Sequence, residues 1–226
     1  MQGIILAAGE GSRLRPYTQL TPKPLLTVKG IPLLTFHINL LNSLNIPNEK
    51  IIVVVSYLKE EIIGYLEKFH KGVNFVEQIN KKGTAAAVES AEKLIKEDFI
   101  IIYGDVIFED DLKEFMKEEN AIAVYEVEDV SKFGKIVEEN GYLKDIKEKS
   151  ERGKGYIFAG ILKTKKEFLK EVKKVKKNEK SGEYYLTDAI ISFNKIFPFK
   201  IYRLKGKWFD IGSEESLVNA RKLIKI

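Results

Sequence analysis

The sequence predicts an α/β protein built on a doubly wound, mixed but mainly parallel sheet with helices on both faces. Three observations predict it. Apolar runs rich in β-branched residues alternate with amphipathic segments through the first half of the chain. Short strand-like runs joined by turns dominate the second half. A glycine-bearing loop follows the first apolar run directly, at the strand end where open α/β sheets bind ligands.

Residues 3–7, 51–55, 73–77 and 99–103 read as strands, because a strand covered on both faces is a continuous apolar run. Residues 33–44, 58–69 and 84–96 carry apolar side chains at helical spacing and read as the right-handed crossovers between them. Residues 121–127, 135–138, 142–146 and 156–162 then read as strands, with turns such as Glu139-Asn140-Gly141 between them. Helices are expected over 166–177, 187–193 and 213–224, and a strand over 199–204. In such a sheet Gly9, Gln78 and Asp105 fall at the carboxyl ends of strands and converge on one crevice.

The 226 residues show no linker, repeat or composition break, so one domain over 1–226 is expected. The formal charge of +5 comes mostly from lysines interleaved with glutamates, as over 165–180, which is the pattern of a solvated helix face. With no aromatic-basic platform, nucleic acid is not an expected partner. A mildly basic surface instead suits small phosphate-rich substrates. The start shows no basic leader with an apolar segment, and no apolar run reaches membrane-span length. Together with the absence of cysteine, this leads us to expect a cytoplasmic protein with no membrane partner.

The most informative stretch is Leu6-Ala7-Ala8-Gly9-Glu10-Gly11-Ser12-Arg13-Leu14-Arg15-Pro16, followed by Thr21-Pro22-Lys23-Pro24. Glycines let backbone N–H groups curl round an anion, and Arg13 and Lys23 add full positive charge, which is how a chain builds a triphosphate site. A dinucleotide fingerprint would need a third glycine where Leu14 stands, and a phosphate-binding P-loop would need Gly-Lys-Ser/Thr where Ser12-Arg13 stands. Tyr103-Gly104-Asp105 ends the most apolar strand, and Trp208-Phe209-Asp210-Ile211-Gly212 lies far along the chain. Read alone, Asp105 could cap a helix over 109–116, and Asp210 could cap the helix beginning near Ser213. Gln78 has an amide that donates and accepts in one plane, as a base edge requires. Gly83 permits close backbone approach at a helix start, and Thr84 is a candidate cap for that helix. His37 and His70 lie on helical segments without a companion at metal spacing and read as structural.

These motifs together resemble the sugar-1-phosphate nucleotidyltransferases, the nucleotide-diphosphate-sugar pyrophosphorylases, from Gly3 to about Leu223. The resemblance implies a Rossmann-like fold of nucleotidyltransferase type. It implies transfer of a nucleotidyl group from a nucleoside triphosphate to a sugar 1-phosphate, giving a nucleotide-diphosphate sugar and pyrophosphate. It places the nucleotide on Leu6, Ala8, Gly9, Gly11, Ser12, Arg13, Lys23, Gln78, Gly83 and Thr84. Arg13 and Lys23 would be catalytic, steadying the β- and γ-phosphates and the α-phosphate respectively. Asp105 and Asp210 would ligate Mg²⁺. The sugar phosphate would lie on Gly134, Glu148, Lys149 and Gly160, with Lys149 eleven residues before Gly160. Ser150 stands where the family has proline, and Phe158-Ala159 stands where relatives often carry Asn or Thr before the glycine. Glu183-Tyr184-Tyr185-Leu186-Thr187-Asp188 resembles another family segment near the sugar, although Thr187-Asp188 could also cap the next helix.

The resemblance is nearest to glucose-1-phosphate thymidylyl- and uridylyltransferases. Mannose-1-phosphate guanylyltransferases come second, and a cytidylyltransferase for a non-sugar phosphate comes third. A catalytically silent paralogue that binds nucleotide sugars is the alternative from another class. The family's appended β-helix is not expected here, and the resemblance allows a homo-oligomer.

Overall fold

The structure, a computed structural model, describes residues 1–147 and 152–225. Strand β1 (Gln2–Leu6) leads through the glycine loop to a small hairpin of β2 (Thr27–Val28) and β3 (Ile31–Pro32). Helix α1 (Leu33–Ser43), β4 (Ile51–Val55), α2 (Lys59–Phe69), β5 (Asn74–Glu77), α3 (Thr84–Ser90) and β6 (Phe99–Tyr103) continue the alternation. There follow β7 (Val106–Phe108), β8 (Ala121–Val127), β9 (Lys135–Glu139), β10 (Tyr142–Lys147) and β11 (Gly155–Thr164). The chain then forms the short α4 (Leu169–Val172), α5 (Leu186–Asn194), β12 (Lys200–Arg203), β13 (Trp208–Asp210) and α6 (Glu214–Leu223).

Among the described residues nine strands form one sheet in the order β5-β4-β1-β6-β11-β8-β12-β10-β9. The first four are parallel, and the remainder are mixed. Leu6 lies beside both Val54 and Tyr103, and Glu77 beside Val55, so the carboxyl ends of these four strands line up. Side chains alternate between the two faces. Ile5, Val53, Ile100 and Ile102 pack under α1 and α2 with Leu34, Ile38, Leu41, Ile62 and Leu66. Ile4, Ile52, Val54 and Ile101 face α3, α4 and α5 with Ala85, Val88, Val172 and Ile190. Each fully buried aliphatic side chain contributes about 1.5–3 kcal/mol of transfer free energy, which is why β4 and residues 99–102 of β6 are apolar throughout.

The doubly wound α/β architecture is the one the alternation predicts. Three local expectations are corrected. The helix expected over 84–96 ends at Ser90 and continues as a 3₁₀ turn, Glu92–Leu94. The helix expected over 166–177 reduces to a 3₁₀ turn and the four residues of α4, because Phe168, Leu169 and Val172 are buried in the core and after them Val175 alone adds a partly buried apolar contact. The lysines that follow have nothing to bury. No helix spans 109–116; irregular chain follows β7 there and leads into a 3₁₀ turn, Phe115–Lys117. Among the described residues no helix is long and apolar enough to cross a membrane.

Candidate active site

The loop after β1 is shaped by Gly11, whose φ of +64° lies in the left-handed region. A Cβ there would also come within 3.1 Å of Thr18 and 3.3 Å of Lys23, so the loop closes on itself at this glycine. A 3₁₀ turn, Ser12–Leu14, follows and buries Leu14 while Ser12 and Arg13 stay exposed. A Cβ on Gly9 would touch nothing within 4 Å, so its backbone is open to approach. Buried Thr18 completes the loop, its hydroxyl donating to the Gly11 carbonyl at 2.8 Å, and Tyr57 donates to the Thr18 carbonyl at 3.1 Å. Thr18 carries no sequence signal beyond a hydroxyl among prolines.

Lys23 sits in a turn begun by Pro22 and is only 8% exposed. Its ammonium donates to Asp105 Oδ2 at 2.7 Å. Asp105 ends the segment after β6, and there the chain reverses into β7, which pairs antiparallel with β13. This two-stranded ribbon sets Asp210 opposite Val106, and Ile211 N–H donates to the Asp105 carbonyl at 2.8 Å. Two aspartates far apart in the chain are therefore neighbours by register. A Cβ on Gly212 would lie 3.2 Å from Arg13 Nη2 and 3.3 Å from Asp210 Oδ2, so Arg13 joins the same group. Neither aspartate caps a helix. Ser213 caps α6 in a capping box with Ser216.

Burial first, and the Asp105 carboxylate second, push Asp210 up to about 6, against the opposing pull of Lys23 and Arg13. Two carboxylates this close repel, and a cation between them relieves both. Mg²⁺ takes one or two carboxylates and completes its shell with phosphate oxygens and water, so this pair fits it. Among the described residues no group of three or more acidic, histidine or cysteine side chains could hold a metal by itself. The pair therefore suits an ion that arrives with a phosphate.

Gln78 follows β5, its own N–H donating to the Val55 carbonyl at 2.8 Å. The side-chain amide nitrogen donates to two carbonyls, Lys81 at 2.9 Å and Gly83 at 3.0 Å. Both amide hydrogens are thereby used, and the Gln78 carbonyl oxygen is left to accept. Gly83, at φ +103°, has no room for a Cβ, which would stand 2.4 Å from the Tyr184 carbonyl. Thr84 does not cap α3, whose N-cap is Gly83; instead its hydroxyl accepts from Leu186 N–H at 2.9 Å. Tyr184 N–H to Lys82 and Ala85 N–H to Tyr184, both 2.9 Å, complete a zipper between this loop and residues 183–187. Helix α5 likewise starts at Leu186 with no side-chain cap, and burial raises the pKa of Asp188 in its first turn.

Gly160, at φ +79°, lies in an irregularity of β11 and packs against the Tyr103 side chain. The Trp208 indole N–H donates to the neighbouring Ala159 carbonyl at 3.0 Å, tying β13 to this bend. Phe133, next to Gly134, packs edge-on against the same indole, so Gly134 and Gly160 share one wall near the ribbon. Phe158 stands edge-on to Tyr103, with ring centroids 5.6 Å apart. Glu148 and Lys149 lie outside the described residues. Leu6, Ala8, Gly9, Gly11 and Ser12 line the rim of the loop next to Gly104, whose N–H donates to the Leu6 carbonyl at 2.9 Å.

Residues 2–225 match the family model described as nucleotidyl transferase. The chain is 39% identical over 227 residues to a bifunctional protein GlmU of Methanocaldococcus jannaschii, covering 99% of this chain and 54% of that protein. It thus spans about half the length of the GlmU relatives. A UTP–glucose-1-phosphate uridylyltransferase AglF of Haloferax volcanii is 32% identical, with 100% of this chain and 97% of that one covered. The fold superposes on a Bacillus anthracis protein described as a glucose-1-phosphate thymidylyltransferase, with TM-score 0.85 and 28% identity over 98% of this chain and 94% of that one.

Proposed function

The chain belongs to the nucleotidyl transferase family, and from that premise we propose that it joins a nucleoside triphosphate to a sugar 1-phosphate, releasing pyrophosphate. The observation that carries this reading is the cluster in which Lys23 meets Asp105 at 2.7 Å while Arg13 and Asp210 stand beside them. Two cations and two carboxylates at the mouth of a glycine loop are the groups a triphosphate and its metal require.

In this mechanism an acceptor phosphate oxygen attacks the α-phosphorus in line. The bond to the β-phosphate oxygen breaks, and pyrophosphate leaves with the electron pair. Arg13 steadies the β- and γ-phosphates. Lys23 exchanges its Asp105 partner for the α-phosphate and offsets the charge that builds there. Asp105 and Asp210 would hold Mg²⁺, which when bound neutralises phosphate charge and orients the reacting oxygens. Gly134 and Gly160 line the acceptor side, and Glu148 and Lys149 complete it by resemblance. The work is positioning and charge neutralisation, as in phosphoryl transfer generally.

UTP or dTTP with glucose 1-phosphate is the proposed substrate pair. The Gln78 carbonyl oxygen, left as an acceptor, matches the ring N3–H of uracil or thymine. Guanine also offers a ring N–H, which keeps guanylyl transfer to mannose 1-phosphate as the second reading. Cytosine presents an acceptor at that ring position and matches less well. The test is pyrophosphate release with Mg²⁺ across five nucleoside triphosphates and several sugar 1-phosphates. A strong signal with UTP or dTTP and glucose 1-phosphate is expected. Silence across the grid in folded protein would reject the transfer reading and favour a silent nucleotide-sugar-binding paralogue.

A further inference from the structure

His37, on α1, is 0% exposed and lies beneath the ribbon that carries the aspartates. Its Nε2 is 2.8 Å from the Val106 carbonyl oxygen, so Nε2 carries the proton and donates. Its Nδ1 has no hydrogen-bond partner among the described residues, so the ring has a single polar task. The Phe36 ring packs edge-on to both His37 and Phe108, at 5.4 and 5.6 Å, and fixes the imidazole against β7.

Register shows why that task exists. In an antiparallel pair, alternate residues turn their N–H and C=O toward the partner strand or away from it. Ile211 N–H donates to the Asp105 carbonyl at 2.8 Å, and Glu109 N–H to the Lys207 carbonyl at 3.0 Å. Residues 105 and 109 therefore face β13, and the carbonyl of Val106 faces away, into the core. Val106 is 3% exposed, so without His37 that carbonyl would be a buried acceptor with no donor.

We propose that His37 is a positioning residue for Asp105: by holding the Val106 carbonyl it fixes the peptide after Asp105 and so aims the carboxylate at Lys23 and Asp210. The ribbon is then pinned from both sides, by Ile211 on one strand edge and by α1 on the other. What the aimed carboxylate does, hold a divalent cation, rests on the function proposed above; the pinning itself does not.

The experiment uses the ligand-free protein and the variants His37→Leu and His37→Gln. Leucine removes the donor, and glutamine places an amide N–H where Nε2 stood. Hydrogen exchange at the Ile211 and Glu109 amides reads the ribbon directly, and Mn²⁺ titration by electron paramagnetic resonance reads the carboxylates, with Asp105→Asn as the blank. His37→Leu should exchange at least about tenfold faster and bind Mn²⁺ at least about tenfold more weakly, the usual scale for losing a group that orients a ligand. His37→Gln should stay within about threefold of the parent on both readings. A folded His37→Leu protein indistinguishable from the parent overturns the proposal, as does a His37→Gln protein as impaired as His37→Leu. Should leucine prevent folding, His37→Asn takes its place. Its amide stands at the Nδ1 position and cannot reach Val106, so an asparagine variant that behaves like glutamine also overturns it. If exchange responds as stated but the parent binds no Mn²⁺ through Asp105, the pinning stands and the metal reading falls.

Discussion

Lys23 shows how one residue is prepared for its work. An ammonium 8% exposed would be costly without a counter-charge, and Asp105 at 2.7 Å supplies it. The same lysine is the group proposed to take the α-phosphate. Lys23→Ala should lower kcat by on the order of 10²-fold or more, as removal of a charge-stabilising donor does, with a smaller change in KM. Retained turnover would sink that assignment. Gly83 is a residue-scale constraint of another kind. Alanine at φ +103° is strained, and its methyl would press on the Tyr184 backbone at 2.4 Å, held there by two hydrogen bonds. Gly83→Ala should cost about 2 kcal/mol or more in urea unfolding; a change of a few tenths would show that the zipper yields easily. Both residues were legible as chemistry in the sequence, one as a cation after Pro22 and one as a glycine before a helix. Neither partner was legible, because Asp105 and Tyr184 meet them only through long-range contacts.

At the scale of elements, two pieces of structure assemble the site. The first is the ribbon of β7 and β13. The second is the zipper joining residues 82–85 to 184–186, in which the Thr84 hydroxyl accepts from the buried Leu186 N–H. Thr84→Val keeps the shape and orphans that N–H, so about 1–3 kcal/mol of stability should be lost and Leu186 amide exchange should quicken, while Thr84→Ser should behave like the parent. Equal exchange in both variants would remove Thr84 from the zipper. Long apolar strands such as Ile51–Val55 and Phe99–Tyr103 were readable because burial on both faces imposes one composition. The three-residue strands β7 and β13 were not, since their pairing is a register between distant segments. The charged stretch after Val172 was overread as helix for the complementary reason. Lysine and glutamate favour helix locally, but without an apolar face to bury the turn does not propagate.

For the whole molecule, the buried His37 links the site to global stability. Burial pushes its pKa from 6.5 down to about 4, against the pull of the Val106 carbonyl and the Asp105 charge. Between those values the unfolded chain binds a proton that the folded protein does not, so stability falls as pH drops through that window. From pH 7 to pH 5 this residue alone should remove about 2 kcal/mol. Urea unfolding of the parent should therefore weaken over that range by about that much more than unfolding of His37→Gln, whose amide does not titrate; parallel pH profiles would contradict the assignment.

The amino-acid sequence determined, by itself, the α/β class, the parallel half of the sheet and the residue types of the site. Composition and periodicity report what each segment must bury, and Arg13, Lys23, Asp105 and Asp210 announce their charge wherever they stand. Only the tertiary structure decided that those four side chains meet, that Gln78 turns its amide nitrogen inward, and that His37 holds the strand behind Asp105. Those facts depend on strand register and on which distant carbonyl a buried donor can reach, and no local run of residues encodes either.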